Sequence, residues 1–371
     1  MESLMFIKTI LSKKTIGIFL ICIAALGLSC SGQPVGQNAG TTSTSGGDVR
    51  LQGSGASFPK PIYEKWVNEY GKINPNIKID YQSTGSGAGQ KAIISKTADF
   101  GASDDPMSDE DLKDTGLLHI PTVLGAVVLT YNLPVLKEPL KLSPEVISDI
   151  YLGKIKKWNA EQIRKDNPNV NLPDTEISPI YRADSSGTTA VFTDFLSKTV
   201  SEWKEKVGAD KQPSWITCVG VGAKGNDGVM GQVKNIPNSI GYVEIAFAKA
   251  NNLPTALIRN KAGEFVEANL DNISAAAAGS VAEMPEDMRV QITNADGASA
   301  YPISSYTYIL VHRDQSDAAK GKALTDFLWW AIHDGEKFTK DLHYASLPDE
   351  VVKKAEAKIN SMTGGGKPLR Q

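Results

Sequence analysis

The stretch ISPIYRADSSGTTAVFTDFL, residues 177–196, contains the local pattern that decides the fold. Residues 177–182 form a predicted strand, and residues 191–196 form a predicted helix. The polar segment between them, RADSSGTT, has the Gly, Ser and Asp residues that are typical of a loop at the start of a helix. The stretch therefore predicts a strand–loop–helix unit.

Similar units occur on both sides of this stretch. Strands that alternate with helices indicate an α/β protein with a largely parallel sheet. A length of 371 residues corresponds to about two domains. The predicted strands are 49–51, 77–82, 99–102, 123–131, 241–243 and 306–311; the predicted helices are 62–70, 90–96 and one capped by Ser108.

Composition excludes several classes of protein. Hydrophobic residues make up 41% and charged residues 22%, which excludes a wholly disordered chain and a polytopic membrane protein. The net charge of −3 provides no basic surplus for binding nucleic acid. Three cysteines and four histidines, at 119, 312, 333 and 343, are too few and too scattered for a disulfide scaffold or a metal site.

The N-terminus has the pattern of an export signal. Residues 1–29 combine early lysines with an apolar run at 16–28 that is short for a membrane span. The sequence before Cys30 resembles a bacterial lipoprotein signal, although Gly27 stands where a leucine is usual. We therefore expect cleavage before Cys30 and a lipid on this residue. Ordinary cleavage nearby, giving a soluble periplasmic protein, is the alternative.

Two further segments are predicted to lie outside the folded body. Residues 30–47 are almost free of charge and of large apolar side chains, so we expect a disordered tether. Residues 361–371, which contain GGGKP, are predicted to be a loose end. Cys218 lies in an apolar stretch and is expected to act as a small hydrophobic residue.

Four loops after predicted strands share one chemistry. They are rich in Gly, Ser, Thr or Asp, and three of them open predicted helices. Helix N-termini and hydroxyl groups both favour anions, and ligands of open α/β folds bind beyond the carboxyl ends of strands. We therefore expect the loops to converge on one small anion. They are residues 53–58, 85–89, 101–105 and 182–189.

Several long segments resemble the high-affinity phosphate-binding protein of bacterial phosphate ABC importers. The resemblance covers the chain from about Leu51 to near the C-terminus. It rests on GSGASFPKPIYEKW, YQSTGSGAG, DFGASDDPMSDEDL, SDIYLGKIKKWN, YRADSSGTTAVFTDFL, GAKGNDGV, SIGYVEIAFAKANNLP and HYASLPDEVV, in that order.

The resemblance implies a two-lobed periplasmic-binding-protein fold of type II, with two hinge crossings and phosphate in the cleft between the lobes. The first lobe is expected to comprise residues 48–131 and 302–371, and the second residues 132–301. The protein would act as a monomer without catalytic activity. It would pass phosphate to ABC permease subunits that are powered by a separate ATPase.

The resemblance also implies nine phosphate-binding residues. Many relatives have Thr at the position of Ser57, and many have Gly where this chain has Ser185. Neither difference removes a hydroxyl donor. The implied residues are Ser57, Phe58 through its backbone N–H, Ser86, Asp104, Arg182, Asp184, Ser186, Gly187 and Thr188.

The types of these residues suit phosphate. Phosphate near neutral pH keeps an O–H group from which an ionised Asp104 can accept a hydrogen bond, whereas sulfate has none, so a carboxylate here would reject sulfate. Arg182 can make two parallel contacts with an oxyanion, and Asp184 is expected to pair with Arg182 and hold its plane.

Other interpretations remain open at this point. Residues 220–225 match G-x-G-x-x-G and Glu244 follows about 20 residues later, but a lone match predicts a dinucleotide cofactor only weakly. No phosphate-binding P-loop motif of an ATPase occurs in the sequence. A phosphatase, a binder of sulfate or molybdate, and a lipoprotein that scavenges or senses phosphate without delivering it are the rival functions.

Overall fold

The structure, a computed structural model, describes residues 47–215, 220–282 and 284–370. The predictions for the signal peptide, for Cys30 and the tether up to residue 46, and for Cys218 lie outside the described residues. The strands are β1 Val49–Gly55, β2 Ile77–Ser83, β3 Phe100–Ser103, β4 Leu117–Tyr131, β5 Lys141–Leu142, β6 Ser178–Arg182, β7 Val221–Ala223, β8 Ser239–Glu244, β9 Leu257–Arg259, β10 Phe265–Val266, β11 Ser304–His312, β12 Asp314–Gln315, β13 Thr363–Gly364 and β14 Lys367–Pro368. The α-helices are α1 Lys60–Ile73, α2 Ser86–Ile94, α3 Asp109–Leu112, α4 Pro144–Tyr151, α5 Glu161–Asp166, α6 Gly187–Thr199, α7 Ser201–Lys206, α8 Gly225–Asn235, α9 Ile245–Ala250, α10 Leu270–Ala278, α11 Ala318–Ile332 and α12 Asp349–Asn360.

An eight-stranded sheet with the order β2-β1-β3-β11-β4-β8-β6-β7 organises these elements. On one flank β1 pairs in parallel with β2 and β3, and on the other flank β6 pairs in parallel with β7 and β8. In the middle, β11 is antiparallel to β3 and β4, and β4 is antiparallel to β8. The predicted parallel sheet is therefore correct for the flanks and wrong for the middle, because β4 and β11 run against their neighbours.

Strand β4 joins the two flanks. Its residues from Leu117 to Ala126 pair with β11, and Val127 to Tyr131 pair with β8. All of its 15 residues except Leu117 are buried, as expected for a strand that is covered on both faces. This shared strand connects the two halves of the α/β fold. The exact lobe boundaries stay a prediction.

Three predicted helices begin earlier in the structure than the sequence pattern indicated, and the shift is largest for α2 and α6. Helix α2 starts at Ser86 rather than at Gln90, and α6 starts at Gly187 rather than at Val191. Both first turns contain glycine and hydroxyl residues, which weaken the apolar periodicity but suit a helix N-terminus. The earlier starts place the polar loop residues in the first helical turns.

The C-terminal segment is not the loose end that its composition suggested. Strand β13 pairs with β12 and with β14, and Gly365 and Gly366 adopt positive φ in the turn between them. Leu369 is only 9% exposed and packs on the hydrophobic core.

Across the described ranges, no helix has both the length and the apolar run needed to cross a bilayer.

Candidate anion-binding site

The loop after β6 forms one side of the site. Strand β6 ends at Arg182, whose side chain is 1% exposed, and Ser186 caps α6 by accepting a hydrogen bond from the Thr189 N–H at 3.1 Å. Arg182 donates to both carboxylate oxygens of Asp184, through Nε at 2.8 Å and Nη2 at 2.6 Å. The remaining guanidinium nitrogen, Nη1, lies 3.3 Å from Thr188 Oγ1.

The expected pairing of Asp184 with Arg182 is therefore present. Burial opposes ionisation of Asp184, but the hydrogen bonds and charge of Arg182 lower the pKa of its carboxyl. Asp184 Oδ1 also accepts the backbone N–H of Gly225 at 3.1 Å. The carboxylate thus holds the plane of the guanidinium and fastens the start of α8 to the same place.

The loops around β1, β2 and β3 form the opposite side. They bring together Ser57, Phe58, Ser86 and Asp104, each at most 2% exposed. The hydroxyl of Ser86 accepts the Gly187 N–H at 3.0 Å and faces the Asp104 N–H at 3.4 Å. The two sides of the site are therefore in direct contact.

Gly187 is required by this contact. A Cβ atom at this position would lie 2.4 Å from Ser86 Oγ and 2.6 Å from Asp104 Oδ2. Such distances are shorter than any real Cβ contact, so a larger residue would push the two sides apart. The same close approach lets the backbone N–H of Gly187 reach the site.

Asp104 has the most unusual environment among these residues. Its Oδ1 accepts a hydrogen bond from Thr307 Oγ1 at 2.7 Å, while its Oδ2 is buried and accepts none from any described residue. Burial raises its pKa to about 7, despite the opposing effects of Thr307 and the nearby Arg182. A buried carboxylate oxygen without a donor is suited to accept a hydrogen bond from a ligand.

Two side chains at the site were missed at the sequence level. Thr307 lies in the middle of β11 and reaches Asp104 because β11 pairs with β3. Asn226, in the first turn of α8, contacts the hydroxyls of both Ser57 and Thr188. Asn226 belongs to the GNDG segment, whose resemblance was noted without assigning a role to any residue in it.

The remaining predicted positions fall into place around these contacts. Ser185 accepts the backbone N–H of Gly87 at 3.2 Å through its carbonyl, so it joins two of the four loops. Helices α2, α6 and α8 all begin at the site, and the positive ends of their dipoles favour an anion there. The structure thus brings all four predicted loops together, with the start of α8 as a fifth element.

The possible dinucleotide motif has another role in the structure. Its last glycine, Gly225, donates to Asp184, and Glu244 is fully buried at the start of α9. The Glu244 carboxylate accepts hydrogen bonds from the Ala246 N–H and the Tyr344 hydroxyl, rather than facing a free surface.

The whole-chain comparisons agree with this architecture. The family model of the PBP superfamily domain matches residues 36–334. The phosphate-binding protein PstS of Pasteurella multocida is 46% identical over 86% of this chain and 93% of its own length. The chain belongs to the PBP superfamily, within the family of PstS phosphate-binding proteins. PstS of Methanocaldococcus jannaschii is 38% identical over 92% of this chain and 94% of its own length.

A solved structure supports the fold separately. A high-affinity periplasmic phosphate-binding protein, PfluDING, with bound phosphate, superposes with a TM-score of 0.68. It is 19% identical and the match covers 87% of this chain and all of that one. The two-lobed periplasmic-binding-protein fold is therefore confirmed. Membership in a family of substrate-binding transport proteins also confirms that the chain is not an enzyme.

Proposed function

We propose that this chain binds inorganic phosphate in the site between the loop after β6 and the loops around β1, β2 and β3. We propose further that it delivers the phosphate to the permease of a phosphate ABC importer. The observation that carries the proposal is Asp104 Oδ2, a buried acceptor that has no donor among the described residues, beside Arg182 and several N–H and O–H donors. Phosphate can donate a hydrogen bond to that oxygen through its O–H group and accept hydrogen bonds from the N–H and O–H donors.

The nine predicted residues take complementary roles in this proposal. Arg182 supplies charge and directed N–H groups, and Asp184 orients it. The hydroxyls of Ser57, Ser86, Ser186 and Thr188 and the N–H group of Phe58 donate to phosphate oxygens, and Gly187 allows the close approach of Ser86 and Asp104 to the loop after β6. Asp104 selects ligands that carry a proton. This last role argues against sulfate or molybdate as the ligand.

Titration calorimetry on purified protein, stripped of ligand and brought near neutral pH, tests the proposal. We expect tight one-to-one phosphate binding and no heat from sulfate. Sulfate binding without phosphate binding would contradict the role of Asp104, and silence for both would contradict an anion site altogether. A model phosphate ester, which the protein should leave intact, serves as a control for phosphatase activity.

We also propose that the protein works in the periplasm or at the cell surface as a monomer, held near the membrane by a lipid on Cys30. The N-terminal sequence pattern supports this proposal, and PfluDING, which shares the fold, is a periplasmic protein. Mass spectrometry of the membrane fraction should find lipidated Cys30, and Cys30→Ser should release the protein. Delivery to the permease is tested separately, by measuring phosphate uptake into vesicles that contain the permease and the ATPase.

A further inference from the structure

Asn226 lies between two of the proposed binding residues, Ser57 and Thr188, but is not itself one of the nine. It is fully buried, and its backbone N–H and its side-chain Nδ2 both point at Ser57 Oγ, at 3.1 and 3.0 Å. The same Nδ2 donates to Thr188 Oγ1 at 3.0 Å. Asn226 therefore bridges a hydroxyl on one side of the site to a hydroxyl on the other.

The orientation of the Asn226 amide follows from its other end. Its oxygen, Oδ1, lies 2.9 Å from the backbone N–H of Glu244, which can only donate. Because an oxygen must face that donor, the NH₂ group must face the two hydroxyls. The backbone of β8 thus determines which end of the amide enters the site.

This arrangement determines the direction of the hydroxyl hydrogens. A hydroxyl group has one hydrogen and two lone pairs. Two N–H groups of Asn226 occupy both lone pairs of Ser57, and Asn226 with Arg182 occupies those of Thr188. The single hydrogen of each hydroxyl is then directed away from Asn226 and remains free to donate to a ligand.

We propose that Asn226 is a positioning residue that makes the hydroxyls of Ser57 and Thr188 obligate donors toward the bound oxyanion. The inference rests on the proposed phosphate function and adds a physical reason why the site prefers one class of ligand. An anion with several acceptor oxygens and one proton matches a site whose hydroxyls can only donate and whose free acceptor is Asp104 Oδ2.

Two substitutions separate the donor role from a structural one. Asn226→Asp keeps the shape and the oxygen that faces Glu244, but it replaces the donor with an acceptor that would turn the hydroxyls toward itself. We expect phosphate affinity to fall about 100-fold in Asn226→Asp and about 10-fold in Asn226→Ala. Melting of both variants without ligand would check that they are folded.

A double-mutant cycle removes the effect of the added charge. Asn226→Ala carries no charge, and in the Ser57→Ala, Thr188→Val background there is no hydroxyl left to orient. We therefore expect Asn226→Ala to weaken phosphate binding less than about 3-fold in that background, as calorimetry would measure. An equal loss in both backgrounds would overturn the proposal, because a structural role does not depend on the hydroxyls.

A neutron structure of the deuterated protein tests the inference without any phosphate. The deuterons of Asn226 should point at Ser57 and Thr188, and the hydroxyl deuterons should point away from Asn226. A hydroxyl deuteron directed at Asn226 would overturn the inference. Failure of the unmodified protein to bind phosphate would instead contradict the proposed function, while the neutron result would still decide the role of Asn226.

Discussion

The two sides of the site each contain an aspartate, fully buried for Asp104 and partly buried for Asp184, and the two carboxyl groups have opposite environments. Asp184 receives two hydrogen bonds from Arg182 and one from Gly225, and its pKa is lowered. Asp104 receives one from Thr307, its second oxygen has no donor within the part of the chain that the structure describes, and burial raises its pKa to about 7.

This difference assigns different tasks to the two sides. The side with Arg182 is complete by itself, because its charge is balanced and its geometry is held before a ligand arrives. The side with Asp104 is incomplete, because a buried acceptor without a donor is energetically unfavourable. We infer that the first arrangement supplies most of the affinity and the second supplies most of the selectivity.

Loss of Arg182 should have the largest effect. Arg182→Ala removes the directed donors and leaves the partly buried Asp184 carboxylate without its cation, so phosphate affinity should fall about 1,000-fold. Calorimetry measures the change, with Arg259→Ala as the control, since Arg259 forms an exposed pair with Glu145. Unchanged affinity in Arg182→Ala would remove this residue from the site.

The energetic cost of Asp104 should appear in the pH dependence of the ligand-free protein. Its pKa is raised from 3.8 to about 7, so the folded state holds a proton that the unfolded state has already lost. Stability should therefore fall as pH rises from about 4 to about 7, by up to about 4 kcal/mol.

Asp104→Asn should remove this contribution. Urea unfolding at pH 5 and pH 8 measures this contribution, as the difference in the free energy of unfolding between the unmodified protein and the variant. The variant should be the more stable of the two at pH 8. An identical pH dependence in both proteins would show that Asp104 is ionised in the folded state as readily as in the unfolded chain.

Asp104→Asn should also change ligand selection. The amide removes the repulsion of proton-free anions and can still form a hydrogen bond, so discrimination against sulfate should fall more than phosphate affinity does. We expect the ratio of phosphate to sulfate affinity to drop about 100-fold. Asp99→Asn is the control, because Asp99 directly precedes β3 and its carboxylate pairs with Lys320. If the Asp104 variant still ignores sulfate, selectivity does not reside in this carboxylate.

A smaller effect is expected from Lys211, which bridges the two sides. Its ammonium group lies 3.0 Å from Asp105 Oδ2 and 2.9 Å from Gln90 Oε1, while its carbonyl accepts the Ser186 N–H. Lys211→Met keeps the backbone contact and removes the bridge. Because the pair is partly exposed, we expect phosphate dissociation to accelerate only about 3- to 10-fold.

Stopped-flow release of phosphate measures this rate. Lys154→Met is the matched control, because Lys154 pairs with Asp149 and Glu202 away from the site. If Lys211→Met slowed association and left dissociation unchanged, the bridge would not hold the two sides together around bound phosphate.

Much of the site could be predicted because its residues lie in continuous segments. The loop at residues 182–189 contains its arginine, its aspartate and its helix cap within a few residues, so local chemistry and family resemblance identify them together. Thr307 could not be found this way, since it lies in a buried strand and its role depends on the pairing of β11 with β3. Asn226 was visible only as part of the segment GAKGNDGV, which resembles the family but implies no role for this residue.

The sequence alone determined the α/β class, the four polar loops and the identities of the charged groups, because these depend on local periodicity and residue type. Only the tertiary structure decided the antiparallel centre of the sheet, the unpaired oxygen of Asp104 and the direction of the Asn226 amide. Each of these depends on which distant backbone groups become neighbours, and hydrogen bonds between distant segments leave no periodic pattern along the chain.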